Sequence, residues 1–306
     1  YGPDYWRYVF VRDGADHALA LLAIPGIALL AAGTLFQLSR PAESKALVAV
    51  MDVVAILAEA MGLFYLLGLP YAGSRWSETL TLAARIAAPE LAVAAVAVYV
   101  GRRFERQAAY AGGVILAGVV SLAMLAALIL PLLQFWPPYA VPGTVFFNIT
   151  LLAYGVPALL LYFIGWYLRH DARPDLRIYG VGISILAVVV TYAMLMVDIR
   201  HAYHLGAPTL EGDMSQSEYY AYSIATLIFG LALLIGGVAF KHRGARAVSF
   251  FFVLAATIKV FLFDASELTG LWRVLSFLLM GLSFLGISWG YARFVFGIGL
   301  GRQSPE

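Results

Sequence analysis

The sequence predicts an all-α fold, a polytopic bundle of transmembrane helices with about nine spans in 306 residues. Composition is the first reason. The chain is 62% hydrophobic and 12% charged, with mean hydropathy +0.85, whereas soluble domains carry about 25% charged residues. A soluble fold of this length could not cover that much apolar surface, so lipid is its solvent. The second reason is run length. The apolar runs reach ~20 residues and do not alternate, and in lipid every backbone polar group must be paired within the chain, so they are helices rather than barrel strands. The whole of 1–306 reads as one transmembrane domain.

The elements follow in order. Residues 1–14 are aromatic and polar, as suits a membrane interface, with Tyr5, Trp6 and Tyr8. The first span covers roughly 16–38, with Pro25 as a kink, and Arg40-Pro41 ends it. The second covers roughly 44–69 and carries Asp52 and Glu59; the third, roughly 79–103, holds Arg85, Pro89 and Glu90 and closes on Arg102, Arg103 and Arg106. The fourth runs over roughly 108–134, and Gly112, Gly113 and Gly118 give it a smooth packing face. After a Pro-rich loop come a fifth span near 144–168, interrupted at Pro157, and a sixth near 176–203. A polar loop with Glu211 and Asp213 leads to spans near 218–240, 245–264 and 267–295. Gly230, Gly236 and Gly237 in the seventh and a G-x-x-x-G at Gly286 and Gly290 in the ninth read as close packing within the chain.

Charge sets the orientation. Thirteen of the 20 Lys and Arg fall in the odd-to-even loops and the C-terminus. Cytoplasmic loops take the excess of Lys and Arg. The first residue here should therefore face outward and the last the cytoplasm. The opening lacks the basic-then-apolar order of a signal peptide and begins with Tyr, so the chain reads as the C-terminal part of a longer or processed protein. There is no cysteine, which excludes disulfides, thiolate catalysis and cysteine metal sites. A net charge of +2 gives no reason to expect nucleic acid as a partner. No cofactor is expected. A spacing of 21 residues separates Arg177 from Asp198 and Arg243 from Asp264, with Thr191 and Thr257 in step, which points to tandem two-helix units over 144–204 and 217–265.

The stretch K-V-F-L-F-D from Lys259 to Asp264, an elbow with L-x-G-L, and then W-R-V-L-S-F-L-L-M-G-L resemble the C-terminal signature of a bacterial family of predicted membrane proteins, domain of unknown function twenty-three thirty-nine. The resemblance is specific over roughly Lys259 to Gly281. It implies a long polytopic architecture and a bacterial inner membrane, and no mechanism.

Ionisable groups inside spans are costly and mark candidate sites. At 1.5 Å per residue, Glu59 and Glu90 lie roughly 15 Å from the outer edge, near the midplane, and Lys259, Arg85 and Arg273 roughly 7–8 Å below it. Asp198 and Asp264 lie at that edge. These seven groups are the candidate binding site for a polar or anionic envelope ligand, a lipid head group or lipid-linked glycan. The competing structural account makes them ion pairs that hold helices in register, with Lys and Arg snorkelling to the interface. Asp52 and Glu59, seven apart on one face, could with Glu90 carry protons or ions, as carboxylate chains do in transporters. Asp198, His201 and His204 stand on one arc, as a metal face would, but Arg200 among them opposes a cation. No nucleophile motif is present. Glu211 and Asp213 are the only loop pair that would suit a transferase acting on a lipid-linked substrate, so the expectation leans away from an enzyme. Oligomeric state is left open.

Overall fold

The computed structural model describes residues 24–39, 45–68, 76–133, 144, 147–204, 214–239, 241, 243–259, 274, 278–279, 281–286 and 288–289; for 60–68, 76–86, 127 and 129–133 the description covers the backbone alone. The elements are helices: α1 Ile24–Ser39, α2 Lys45–Gly68, α3 Trp76–Arg103, α4 Gln107–Leu133, a π-helical turn Leu151–Gly155 running into α5 Val156–Arg169, α6 Pro174–Tyr203, α7 Gln216–Ala239 and α8 Arg243–Lys259. The π turn sits where Pro157 was expected to disturb the fifth span. Pro157 has no amide to offer the carbonyl four residues back, so the helix re-registers just ahead of it.

The chain divides into two compact units, Tyr1–Glu211 and Gly212–Glu306. In the first, neighbours in sequence pack as hairpins, α1 on α2, α3 on α4 and α5 on α6, and α4 also meets α2 while α3 meets α5. The second unit contains the α7–α8 hairpin. Three turns of the first unit share one end. Gln37 near the end of α1 donates to the carbonyl of Phe104 in the α3–α4 turn at 3.0 Å. Arg102 donates to the carbonyls of Tyr167 and His170 at the α5–α6 turn, at 3.0 and 2.8 Å. Among the described side chains of this unit, Arg102, Arg103, Arg106, Arg169, Arg173 and Arg177 gather at that end.

Lipid supplies no hydrophobic force between helices, so close backbone approach through small residues has to hold them. The glycine face expected on α4 does this on three sides. A side chain at Gly112 would strike Ile56 of α2, at Gly113 the backbone of α3, and at Gly118 the hydroxyl of Tyr179 on α6. Gly101 meets the backbone of Tyr110, and Gly165 and Gly180 seat α5 against α6. On α7, Gly230 meets Val253 and Phe252 and Gly237 meets Arg246, while Gly236 faces open space. The buried stripe of α6, Ile183, Ala187 and Val190, keeps helical spacing. The opposite faces, Ile178 and Ile185 on α6 and Ile228 and Ile235 on α7, are exposed and apolar, as a lipid-facing surface is.

The expectation of about nine spans is corrected. Among the described residues four helices are long and apolar enough to cross a membrane: Gln107–Ala126 of α4, Leu151–Arg169 comprising the π turn and α5, Pro174–Tyr203 and Gln216–Ala239. The remaining helices do not reach that length and apolarity over their described residues. The described part of α1 has 16 residues and that of α8 has 17, the latter with Arg243, Arg246 and Lys259. The described side chains of α2 include Lys45, Asp52 and Glu59, and those of α3 include Glu90, Arg102 and Arg103. The ninth expected span, 267–295, lies largely outside the described residues.

Candidate functional site

Two carboxylates lie deep in the first unit. Glu59 on α2 is 0% exposed, and Glu90 on α3 is 5% exposed. Neither Oε1 nor Oε2 of Glu59, nor Oε2 of Glu90, has a hydrogen-bond partner among the described residues. Room for Glu59 comes from α1, where any side chain at Gly26 would collide with its carboxylate. Pro89, just before Glu90, lacks the amide that would bond the carbonyl of Arg85. That backbone stretch is therefore more polar than a regular helix.

Asp52, one heptad below Glu59 on α2, is in the opposite condition. It is 1% exposed and takes two hydrogen bonds from Arg106, Nη2 to Oδ1 and Nε to Oδ2, the second at 3.1 Å. Arg106 Nη1 also donates to the Leu30 carbonyl at 3.1 Å and to Thr34 Oγ1 at 2.6 Å on α1. Its guanidinium fills the space left by Gly33. A bidentate, charge-assisted pair of this kind is among the stronger polar contacts a fold can make. The turn between α3 and α4 aims it inward. Glu105 adopts a left-handed conformation with φ 56°, and the Arg106 amide bonds back to the Gly101 carbonyl at 2.7 Å. That is a Schellman ending, with Glu105 where glycine is usual.

The other candidates are separate. Asp198 at the end of α6 accepts from Asn148 Nδ2 at 2.9 Å and Thr150 Oγ1 at 2.6 Å, residues that lead into the π turn. His201 is buried beside it in sequence, and among the described residues no group of three His, Cys, Asp or Glu side chains is placed to hold a metal. Lys259 belongs to the second unit. Its Nζ donates to the Tyr219 carbonyl at 3.1 Å and to Ser223 Oγ at 2.5 Å, and it lies 4.3 Å from the centre of the Tyr219 ring. Those contacts fasten α8 to the first turns of α7. Arg85 lies on α3, but its side chain is outside the described residues, as are Asp264, Arg273, Glu211 and Asp213 altogether.

At the arginine-rich end, Asp171 in the α5–α6 turn accepts from Tyr110 of α4 at 2.5 Å and from the amide and Nε of Arg173 at 2.9 and 3.3 Å. Burial alone would raise the Asp171 carboxyl, but the Tyr110 and Arg173 hydrogen bonds and the Arg173 charge outweigh it and hold its pKa below the usual aspartate value.

Of the seven candidate residues, Glu59 and Glu90 are the two buried in the first unit with oxygens unpartnered among the described residues. The sequence reading missed Arg106, taking it for one more loop cation. One signal was available: Gly26 and Gly33 on α1 repeat the seven-residue interval of Asp52 and Glu59 on α2, as two antiparallel faces in contact would. No curated protein and no solved structure matches the chain. The model of the family described as Predicted membrane protein (DUF2339) matches residues 2–294. With that match over nearly its whole length, and with several helices able to cross a bilayer, the chain belongs to this family of bacterial multi-pass membrane proteins.

Proposed function

We propose that this membrane protein couples the exchange of a proton or a small monovalent cation to the handling of an envelope component, with Glu59 and Glu90 as the exchanging pair. The observation that carries it is the pair itself, buried carboxylates with oxygens unpartnered among the described residues. A buried ionised carboxylate without a partner is costly, and a proton or cation taken up at these two relieves that cost. Nearby Asp52 has no such need, because Arg106 already neutralises it.

The test is labelling with dicyclohexylcarbodiimide, which reacts with protonated carboxyls in apolar settings, followed by peptide mass spectrometry. Modification at Glu59 or Glu90 is expected, and Glu59→Gln with Glu90→Gln should remove it. Protection by sodium or potassium at constant pH would identify a metal cation as the occupant; protection by raising pH alone would identify a proton. Absence of labelling at both positions in folded protein would sink the proposal.

For the envelope component, the proposed contacts are Lys259, Asp264, Arg273, Asp198 and Arg85, and the class is a polar or anionic lipid or lipid-linked glycan. What supports this is Lys259 poised on the Tyr219 ring at a helix end, an arrangement that suits an anionic head group at a bilayer surface. Lipid recovered with the purified protein and lost in Lys259→Met would support it. The location proposed is the bacterial inner membrane, with the arginine-rich turns on the cytoplasmic side, the N-terminus of this chain outside and its C-terminus inside.

A further inference from the structure

The surroundings of Glu59 differ along the axis of α2. Seven residues separate it from Asp52, about 10.5 Å of helix. Between them on the same face stands Ala55, 0% exposed, and Leu30 of α1, also 0% exposed, adjoins this layer. Below that apolar layer, toward the arginine-rich end, sits Arg106, 5% exposed. It bridges Asp52 of α2 to the Leu30 carbonyl and Thr34 hydroxyl of α1. Its guanidinium thus spans the α1–α2 seam at this level.

Charge reinforces the geometry. Neither α1 nor α4 carries a charged residue. Among the described side chains buried in this part of the bundle, the charged groups are Asp52, Glu59, Glu90 and Arg106. Arg106 cancels Asp52 and leaves the pair above as the uncompensated charge. Held in its pair with Asp52 and bonded across to α1, the guanidinium is fixed in the seam rather than free to swing aside. Glycine at position 33 gives the guanidinium its seat.

On the basis that Glu59 and Glu90 exchange a proton or cation, we infer that Arg106 is a tethered cation that closes the arginine-rich end of their site. Exchange in this conformation is with the opposite end. Access from the arginine-rich end requires Arg106 to leave Asp52. Arg106 is thus a positioning residue that decides the side of access, and it does not itself hold the exchanged ion.

The natural absence of cysteine allows a direct test. Ala55→Cys places a thiol between Asp52 and Glu59. In vesicles of each orientation, a charged methanethiosulfonate reagent should modify it slowly from the arginine-rich end. Adding Asp52→Asn and Arg106→Met, which removes both charges together, should raise that rate tenfold or more while modification from the other end changes little. An unchanged rate from the arginine-rich end in the folded double variant overturns the inference, as does fast modification from that end with Arg106 in place. If the double variant does not fold, Arg106→Lys serves instead, since a lysine cannot make the bidentate contact; a partial rise supports the plug and no rise overturns it. Carbodiimide labelling of Glu59 in the same vesicles separates the two ideas. Labelling retained with no change in thiol access removes the plug alone, whereas labelling lost with native charges in place removes the exchange site beneath it.

Discussion

At the scale of the residue, the Asp52–Arg106 pair and the Glu59–Glu90 pair show how one bundle handles buried charge in two ways. A paired buried charge is nearly neutral to stability, but removing one partner leaves the other stranded, at a cost of about 3–5 kcal/mol. Asp52→Asn should therefore lower the unfolding temperature in detergent sharply. Asp52→Asn with Arg106→Met should recover most of the loss, since no isolated charge remains. A double variant no more stable than the single one would refute the pairing as the main energetic term. Asp171 gives a second residue-scale prediction. Its folded pKa is depressed, so its contribution to stability is fully present above the ordinary aspartate pKa of about 3.9 and is lost as pH falls through the lower folded value. Tyr110→Phe removes one of the bonds responsible. The stability difference between wild type and Tyr110→Phe, followed from pH 6 downward, should be constant at first and shrink below pH ~4. A difference that grows on acidification would contradict the assignment.

At the scale of the element, small residues decide which helices touch. Gly101 is the sharpest case, because a Cβ there meets the backbone of Tyr110 and not the tip of a side chain. Backbone cannot swing aside, so Gly101→Ala should cost about 1–3 kcal/mol, as overpacking does. Gly236→Ala, facing open space, should cost nothing measurable or stabilise α7 slightly. Equal effects in a detergent melt would show that the α3–α4 crossing is looser than its geometry. The glycines of α4 were legible in the sequence because small residues clustered in an apolar helix have few other uses. Arg106 was not. It ends a run with Arg102 and Arg103 after a helix, which is how loop cations look, and its inward aim comes from a left-handed Glu105 where sequence rules expect glycine. That Glu59 and Glu90 lie within helices was legible in the sequence, but their burial is a property of how the helices pack, which no spacing within either helix encodes.

At the scale of the whole molecule, composition announced lipid and helices, and that held. The count of about nine spans did not, since four helices among the described residues are long and apolar enough to cross a membrane. Orientation is the property to test next, and α6 is the element to test it on. Its 30 residues extend about 45 Å, ample for a hydrocarbon core of about 30 Å, and it meets the criteria for a span. Ala172, exposed in the turn before it, and Met214, exposed beyond it, lie in sequence on either side of α6. In a chain without native cysteine, Ala172→Cys and Met214→Cys each give a single reporter. The Arg-rich turns predict the result. A membrane-impermeant maleimide should label Met214→Cys in intact spheroplasts and Ala172→Cys only after the membrane is opened. The reverse pattern would invert the topology and move the Arg106 plug to the outer face. Labelling of both from one side would mean that α6 does not cross, and would remove the membrane-spanning frame on which the depth of Glu59 and Glu90 depends.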